Sequence, residues 1–160
     1  MARDSRIALL LDVVDQAFDH RAWHGTPLAG ALRGVGWRDA LTRPRPGRHS
    51  IWELTLHAAY WKCVVRRRLT RDPDVVFPRT PANFPAVPRH PTAALWRRDV
   101  QLLRREHRLL RDVIARFPVS RLGQRGWRSR RWTNEQQIYG IASHDLYHAG
   151  QIQLLKALRP

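Results

Sequence analysis

The sequence predicts an all-α fold, a four-helix bundle with long irregular connections, on three observations. Four segments carry apolar residues at helical spacing, two of them open on capping-box patterns, and strand signals are weak throughout. At 160 residues the chain has the length of one domain, so residues 1–160 are read as a single unit.

The first helix is expected from about Ser5 to Trp23, with Ile7, Leu10, Leu11, Val14, Ala17 and Phe18 on one face. A short piece follows, with Thr26 placed to cap it and Pro27 at its first position. The stretch 34–48, which contains Pro44, Pro46 and Gly47, reads as a connection. Ser50-Ile51-Trp52-Glu53 then opens the second helix: the Ser50 hydroxyl accepts from the Glu53 amide, and the Glu53 carboxylate reaches back. That helix ends near Leu69, because Asp72 precedes Pro73 and is driven out of helical conformation. The prolines from Pro73 to Pro91 keep the chain irregular as far as Thr92. The third helix, about Thr92 to Phe117, carries Trp96, Val100, Leu103, Leu110, Ile114 and Phe117 on one stripe, with a solvated arginine face outside it. Pro118 stops it. The fourth begins near Thr133, where Thr133 and Gln136 repeat the capping box, and continues almost to Pro160. The proline-rich link is long enough to span the bundle, which lets helices two and three run parallel.

Composition limits the class. The hydrophobic content of 43% is that of a folded protein. The aliphatic run from Ile7 to Leu11 is too short for a membrane span or a secretory signal. The single cysteine, Cys63, forms no internal disulfide and suits a reducing compartment, so a cytoplasmic location without membrane association is expected. The net charge of +16 comes almost wholly from arginine, since Lys62 and Lys156 are the only lysines. Such a charge favours anionic partners. The arginines are spread over nearly every segment rather than gathered in a block, so specific nucleic-acid binding is not expected.

His144-Asp145-Leu146-Tyr147-His148 lies inside the fourth helix. A spacing of four puts both imidazoles on one face, about one turn apart, where they can share an ion. Both fall on the core-facing stripe Ile141, His144, His148, Ile152, Leu155, where polar groups need partners. A metal is one such partner; backbone or water bonds to two core histidines are the alternative. His57 is the histidine well inside the second helix, on a face with Glu53, Trp61 and Val64, and is the candidate third ligand. Cys63, six residues on, points mostly away and makes a poor fourth. Three neutral imidazoles with an open coordination position suit zinc and related divalent ions.

Three stretches resemble the DinB/YfiT-like superfamily of helical metalloproteins. They are Ala22-Trp23-His24-Gly25, the run from His49-Ser50-Ile51-Trp52-Glu53 to His57, and the run from His144-Asp145-Leu146-Tyr147-His148 to Ile152. They occur in order along nearly the whole chain, and the last is the most specific. The resemblance implies an up-down-down-up bundle, often a homodimer, with one histidine from the second helix and two from the fourth on the metal. By motif those are His57, His144 and His148. Zinc or nickel is the expected ion. Some relatives are thiol-dependent transferases or isomerases, so the resemblance implies a metal-dependent enzyme activating a low-molecular-weight thiol or water. The expected partner is a small anionic or thiol-containing substrate, which nearby arginines would suit.

Other residues carry two readings each. Glu53 is a candidate general base, and its place in the capping box already explains it. Asp145 is a candidate for orienting a ligand histidine, against a solvent-facing or helix-contact role. Gln151 either bonds near the ion or bridges helices. His24 either lines the site's mouth or satisfies helix-end carbonyls, and His107 is read as a hydrogen-bonded core histidine. Trp52, Trp61, Trp96 and Trp132 are read as core or pocket wall. A metal-dependent hydrolase, a catalytically silent metal bundle and a charge-driven nucleic-acid module are the competing functions. A zincin protease is excluded because Asp145 is one methylene short of the required glutamate. A di-iron bundle is excluded because Glu53, Glu106 and Glu135 are the only glutamates.

Overall fold

Side-chain caps decide where the long helices begin. The computed structural model describes residues 4–129 and 131–158. Among these, six α-helices are formed and no strand: α1 (Ser5–Phe18), α2 (Leu28–Ala31), α3 (Trp37–Leu41), α4 (Ile51–Thr70), α5 (Ala93–Ala115) and α6 (Asn134–Ala157). Both capping boxes are complete, Ser50 with Glu53 at the head of α4 and Thr133 with Gln136 at the head of α6. Thr92 caps α5 by accepting from the Leu95 amide. The Pro-rich segment 73–91 is irregular, as expected.

Three expectations need correction. The first helix stops at Phe18 rather than Trp23, because Asp19 leaves helical conformation. The chain then turns through Gly25, which takes a φ of 104° open to glycine without strain. Thr26 does not cap the short piece; Pro27 occupies the cap position of α2 with no side-chain bond. The stretch read as pure connection contains α3, a helix too short to give a periodic signal. The last two residues of the expected fourth helix lie outside the described residues.

α4 packs against α5 and α6, and α1 packs against the same two helices. The core is divided. One apolar cluster gathers Phe18, Trp52, Leu56, Trp96, Leu103 and Ile152; the other gathers Leu11, Val14, Leu69, Leu110, Ile114 and Ile138. On every long helix, buried polar residues fall between the two: Asp15 on α1, Lys62 on α4, Glu106 and His107 on α5, Asp145 on α6. Lys62 donates to Asp145 across the α4–α6 seam, Arg66 to Glu106, and Arg111 to Asp15 at 2.8 and 3.0 Å. Each charge taken out of water therefore has an opposite charge, the condition under which burial is tolerated. No helix among the described residues is long and apolar enough to cross a membrane.

His107 is the neutral member of this layer. It stacks on Phe18 at 3.8 Å, and its Nδ1 faces the Lys62 ammonium at 3.5 Å. Burial, then Lys62, Arg111, His20 and Arg108, push its pKa from 6.5 down to about 2. Its 3.7 Å approach to Asp15 is thus a contact with a neutral ring, and Arg111 is the ionic partner of Asp15. The unfolded chain takes up a proton on this residue near its ordinary pKa of 6.5 while the folded chain does not. Its stabilisation is therefore complete above that pH and is lost as pH falls towards about 2. Unfolding free energy should fall by roughly 1.4 kcal/mol per pH unit for this group between about pH 6 and 4. Denaturant titrations over that range should show a slope about one proton smaller in His107→Gln; an unchanged slope would mean that His107 titrates normally.

Candidate metal centre

α4 and α6 bring three imidazoles together. His57 comes from the second turn of α4, and His144 and His148 from successive turns of α6. His144 Nε2 lies 3.0 Å from His57 Nε2 and 3.1 Å from His148 Nε2. The three ligand atoms all fall within 4.8 Å of one another. A tetrahedral site with metal–nitrogen bonds of ~2.0–2.1 Å has nitrogen–nitrogen edges of roughly 3.3 Å, so the cluster has the scale of one divalent ion's surroundings.

The outer nitrogens fix the protons. His57 Nδ1 donates to the Asn83 carbonyl at 2.6 Å, and His148 Nδ1 donates to the Gln151 side-chain oxygen at 2.7 Å. Burial pushes the His57 pKa down to about 4 and lowers that of His148, so both rings are neutral at pH 7. A neutral ring protonated on Nδ1 carries its lone pair on Nε2. His144 stands between those two lone pairs, itself driven down to about 3 by burial and then by His148 and His57. It can donate to one of them at most, and its own Nδ1 is buried without a partner. Whichever tautomer it adopts, at least one inward lone pair is unmatched. A single cation would accept all three, and on that ground the residues fit a metal.

Two residues from the proline-rich segment hold His57, and sequence reasoning missed both. Asn83 takes a positive φ of 69°, which asparagine tolerates better than most residues. Its carbonyl accepts from His57, and its side-chain oxygen accepts from Trp61 Nε1 at 2.9 Å. Phe84 lies between two imidazoles, stacked on His57 at 4.0 Å and on His49 at 3.8 Å. An asparagine among prolines was the available signal.

The remaining candidates stand elsewhere. Glu53 accepts from the Ser50 amide on Oε2 at 2.8 Å and from Arg43 on Oε1 at 2.5 Å, so one oxygen caps the helix and the other holds the preceding connection. Asp145 is wholly buried against Lys62, which overturns the solvent-facing alternative and favours the helix contact. Burial raises its pKa to about 6 against the pull of Lys62. His24 is exposed. Cys63 is buried beside Val64 and Phe77, and burial raises its pKa to about 11. Trp52 and Trp96 are core, 5.2 Å apart, with Trp52 donating to Asp99 and Trp96 to the Val35 carbonyl.

His144 also opens onto a cavity of about 530 Å³ between α4 and α6. Its walls include Trp61, Val65, Ile141 and Trp132, and Arg68, Arg128 and Arg131 line it as well. Arg68 donates to Gln137 at 3.3 Å. His57 meets His144, and further along α4 Arg68 meets Gln137, which lies earlier in α6. The two helices therefore run antiparallel, and the cavity follows their seam.

The chain matches the family model of the DinB superfamily over residues 8–152. No curated protein and no solved structure matches it.

The Lys62–Asp145 pair ties α4 to α6 beside the cluster, and its removal is expected to be asymmetric. Lys62→Met leaves a buried carboxylate without its cation and should destabilise the fold by about 3–5 kcal/mol. The double variant Lys62→Met/Asp145→Leu removes both charges and should recover most of that loss in urea titrations. Equal destabilisation by the single and double variants would show that the pair does not act as a unit.

Proposed function

The chain belongs to the DinB superfamily, and from that premise we propose that it is a metal-dependent enzyme that activates a small thiol, in the manner of a thiol transferase. The observation that carries the reading is the meeting of three Nε2 atoms from α4 and α6, two of them with lone pairs fixed inward by Asn83 and Gln151. A divalent ion bound there, zinc or nickel, supplies a Lewis acid that lowers the pKa of a thiol or water reaching it, so that a nucleophile forms at neutral pH.

The chain's own residues divide the remaining work. His57 is oriented by Asn83 and Phe84, and His148 by Gln151. His144 faces the cavity through which a small molecule reaches the cluster. Trp61, Val65 and Ile141 keep that approach apolar and strengthen charge interactions at its floor. Among the described residues, no aspartate or glutamate lines the cavity. A thiol, with an ordinary pKa of about 8.5, needs less help from a general base than water does, and this favours thiol activation over the hydrolytic alternative. The same proposal includes an up-down-down-up bundle acting in the cytoplasm as a homodimer. Exposed Tyr139, Tyr147, Leu154 and Leu158 on and just beyond α6 are apolar surface that a second copy would cover.

Protein purified without a polyhistidine tag should carry about one divalent ion per chain. His57→Ala, His144→Ala and His148→Ala should each lose most of it, because each removes one ligand of three, while His90→Ala should keep it. In the cobalt-substituted protein, small thiols should add a sulfur-to-metal charge-transfer band, absent in His148→Ala. Metal retained equally by all four variants, or a loaded protein whose spectrum no thiol changes, would contradict the proposal.

A further inference from the structure

Among the described residues, the arginines at the cavity have no acidic counterparts. Arg68 is half-buried, and its side-chain partners are neutral: the Gln137 oxygen at 3.3 Å and the Trp61 face at 5.9 Å. Burial, and then Arg67, lower its pKa, as expected of a cation without a counter-charge. Arg128 lies over Trp127 at 4.4 Å, and neither it nor Arg131 makes an ion pair among the described residues. Elsewhere among the described residues some partly buried guanidiniums are ion-paired, as in Arg66 with Glu106, Arg79 with Asp99 and Arg111 with Asp15, while others, such as Arg67, Arg104 and Arg121, are not. What sets the cavity apart is that Arg68, Arg128 and Arg131 line one space.

Geometry adds a length. Gln137, which holds Arg68, precedes His144 by seven residues on α6, or roughly 10 Å at the helical rise of 1.5 Å per residue. Between the two ends lie Trp61, Val65 and Ile141, and Trp132 also lines the cavity, so that it offers aromatic and branched aliphatic surface. The volume of about 530 Å³ is that of a small-molecule site.

We propose that this cavity binds an elongated organic anion, its carboxylate or phosphate on Arg68 with Arg128 and Arg131 at the rim, its flat apolar body against Trp61 and Trp132, and its far end at His144. Guanidinium matches either anion in two-point fashion, and at half-buried Arg68 the pairing is stronger than at a fully exposed position. The inference rests on the proposed function only for the claim that the far end is the reacting end. The charge recognition itself needs no metal.

The test uses full-length protein, as purified and after chelation, titrated with 2-naphthoate, 2-naphthyl phosphate and neutral 2-naphthamide by calorimetry. At least one anion should bind ten times more tightly than the amide, and the tighter of the two identifies the preferred group. Arg68→Met should weaken that anion at least tenfold and leave the amide unchanged, as should the paired Arg128→Ala/Arg131→Ala to a smaller degree. Arg97→Met, which removes one exposed charge from α5, should change nothing. Equal losses from Arg68→Met and Arg97→Met would reduce the effect to diffuse attraction by the net charge and overturn the proposal. Amide binding equal to both anions would overturn it as well. Anion binding that disappears on chelation would overturn the cavity proposal while supporting the metal; anion binding that persists in a chain unable to hold metal would support the cavity and leave the metal reading refuted.

Discussion

His144 Nε2 sits at hydrogen-bonding distance from both His57 Nε2 and His148 Nε2, and too few protons point inward to satisfy the three nitrogens. Asn83 and Gln151 each claim the outer proton of a ring, and burial keeps those rings neutral, so the shortage is built in rather than incidental. Unmatched lone pairs in a desolvated place are costly, and the chain spends several ordered contacts to keep them there. The capping boxes fix where α4 and α6 begin, the strap at Asn83 and Phe84 holds His57 on α4, and the Lys62–Asp145 pair ties one helix to the other. A cation among the three nitrogens turns this cost into a bond network, and the surrounding structure follows from that need.

The same shortage of negative charge operates on a larger scale. The chain has 29 basic lysine and arginine residues against 13 acidic ones. Four of the acids, Asp15, Asp99, Glu106 and Asp145, are buried and occupied with internal cations or with Trp52. Few remain to neutralise the outer guanidiniums. The excess charge that the sequence spreads over every segment therefore becomes local at the cavity, where Arg68, Arg128 and Arg131 come together from α4 and the segment before α6. Composition gives the amount of charge, but only the fold gives its address.

What could be read in the sequence was what depends on neighbours along the chain. Capping boxes at Ser50 and Thr133 span three residues, and the pairing of His144 with His148 spans one helical turn, so both were legible. The third histidine was legible because few histidines occupy helix interiors. Asn83 and Phe84 were not, since an irregular segment rich in proline has no period from which to infer a direction. Lys62 was also passed over: a lysine on a helix is ordinarily solvated, and its burial depends on Asp145 arriving from another helix. The helix α3 is too short to be seen by periodicity, and the early stop of α1 depends on one backbone turn at Asp19.

The most direct test of the central claim is X-ray absorption at the metal edge of protein purified without a tag and without added thiol. Three imidazole nitrogens meeting at one ion predict multiple-scattering features of three rings at about 2.0–2.1 Å, no sulfur from Cys63, and loss of one ring in His57→Ala. A spectrum with one imidazole or none, or with a sulfur scatterer in the as-purified protein, would contradict it.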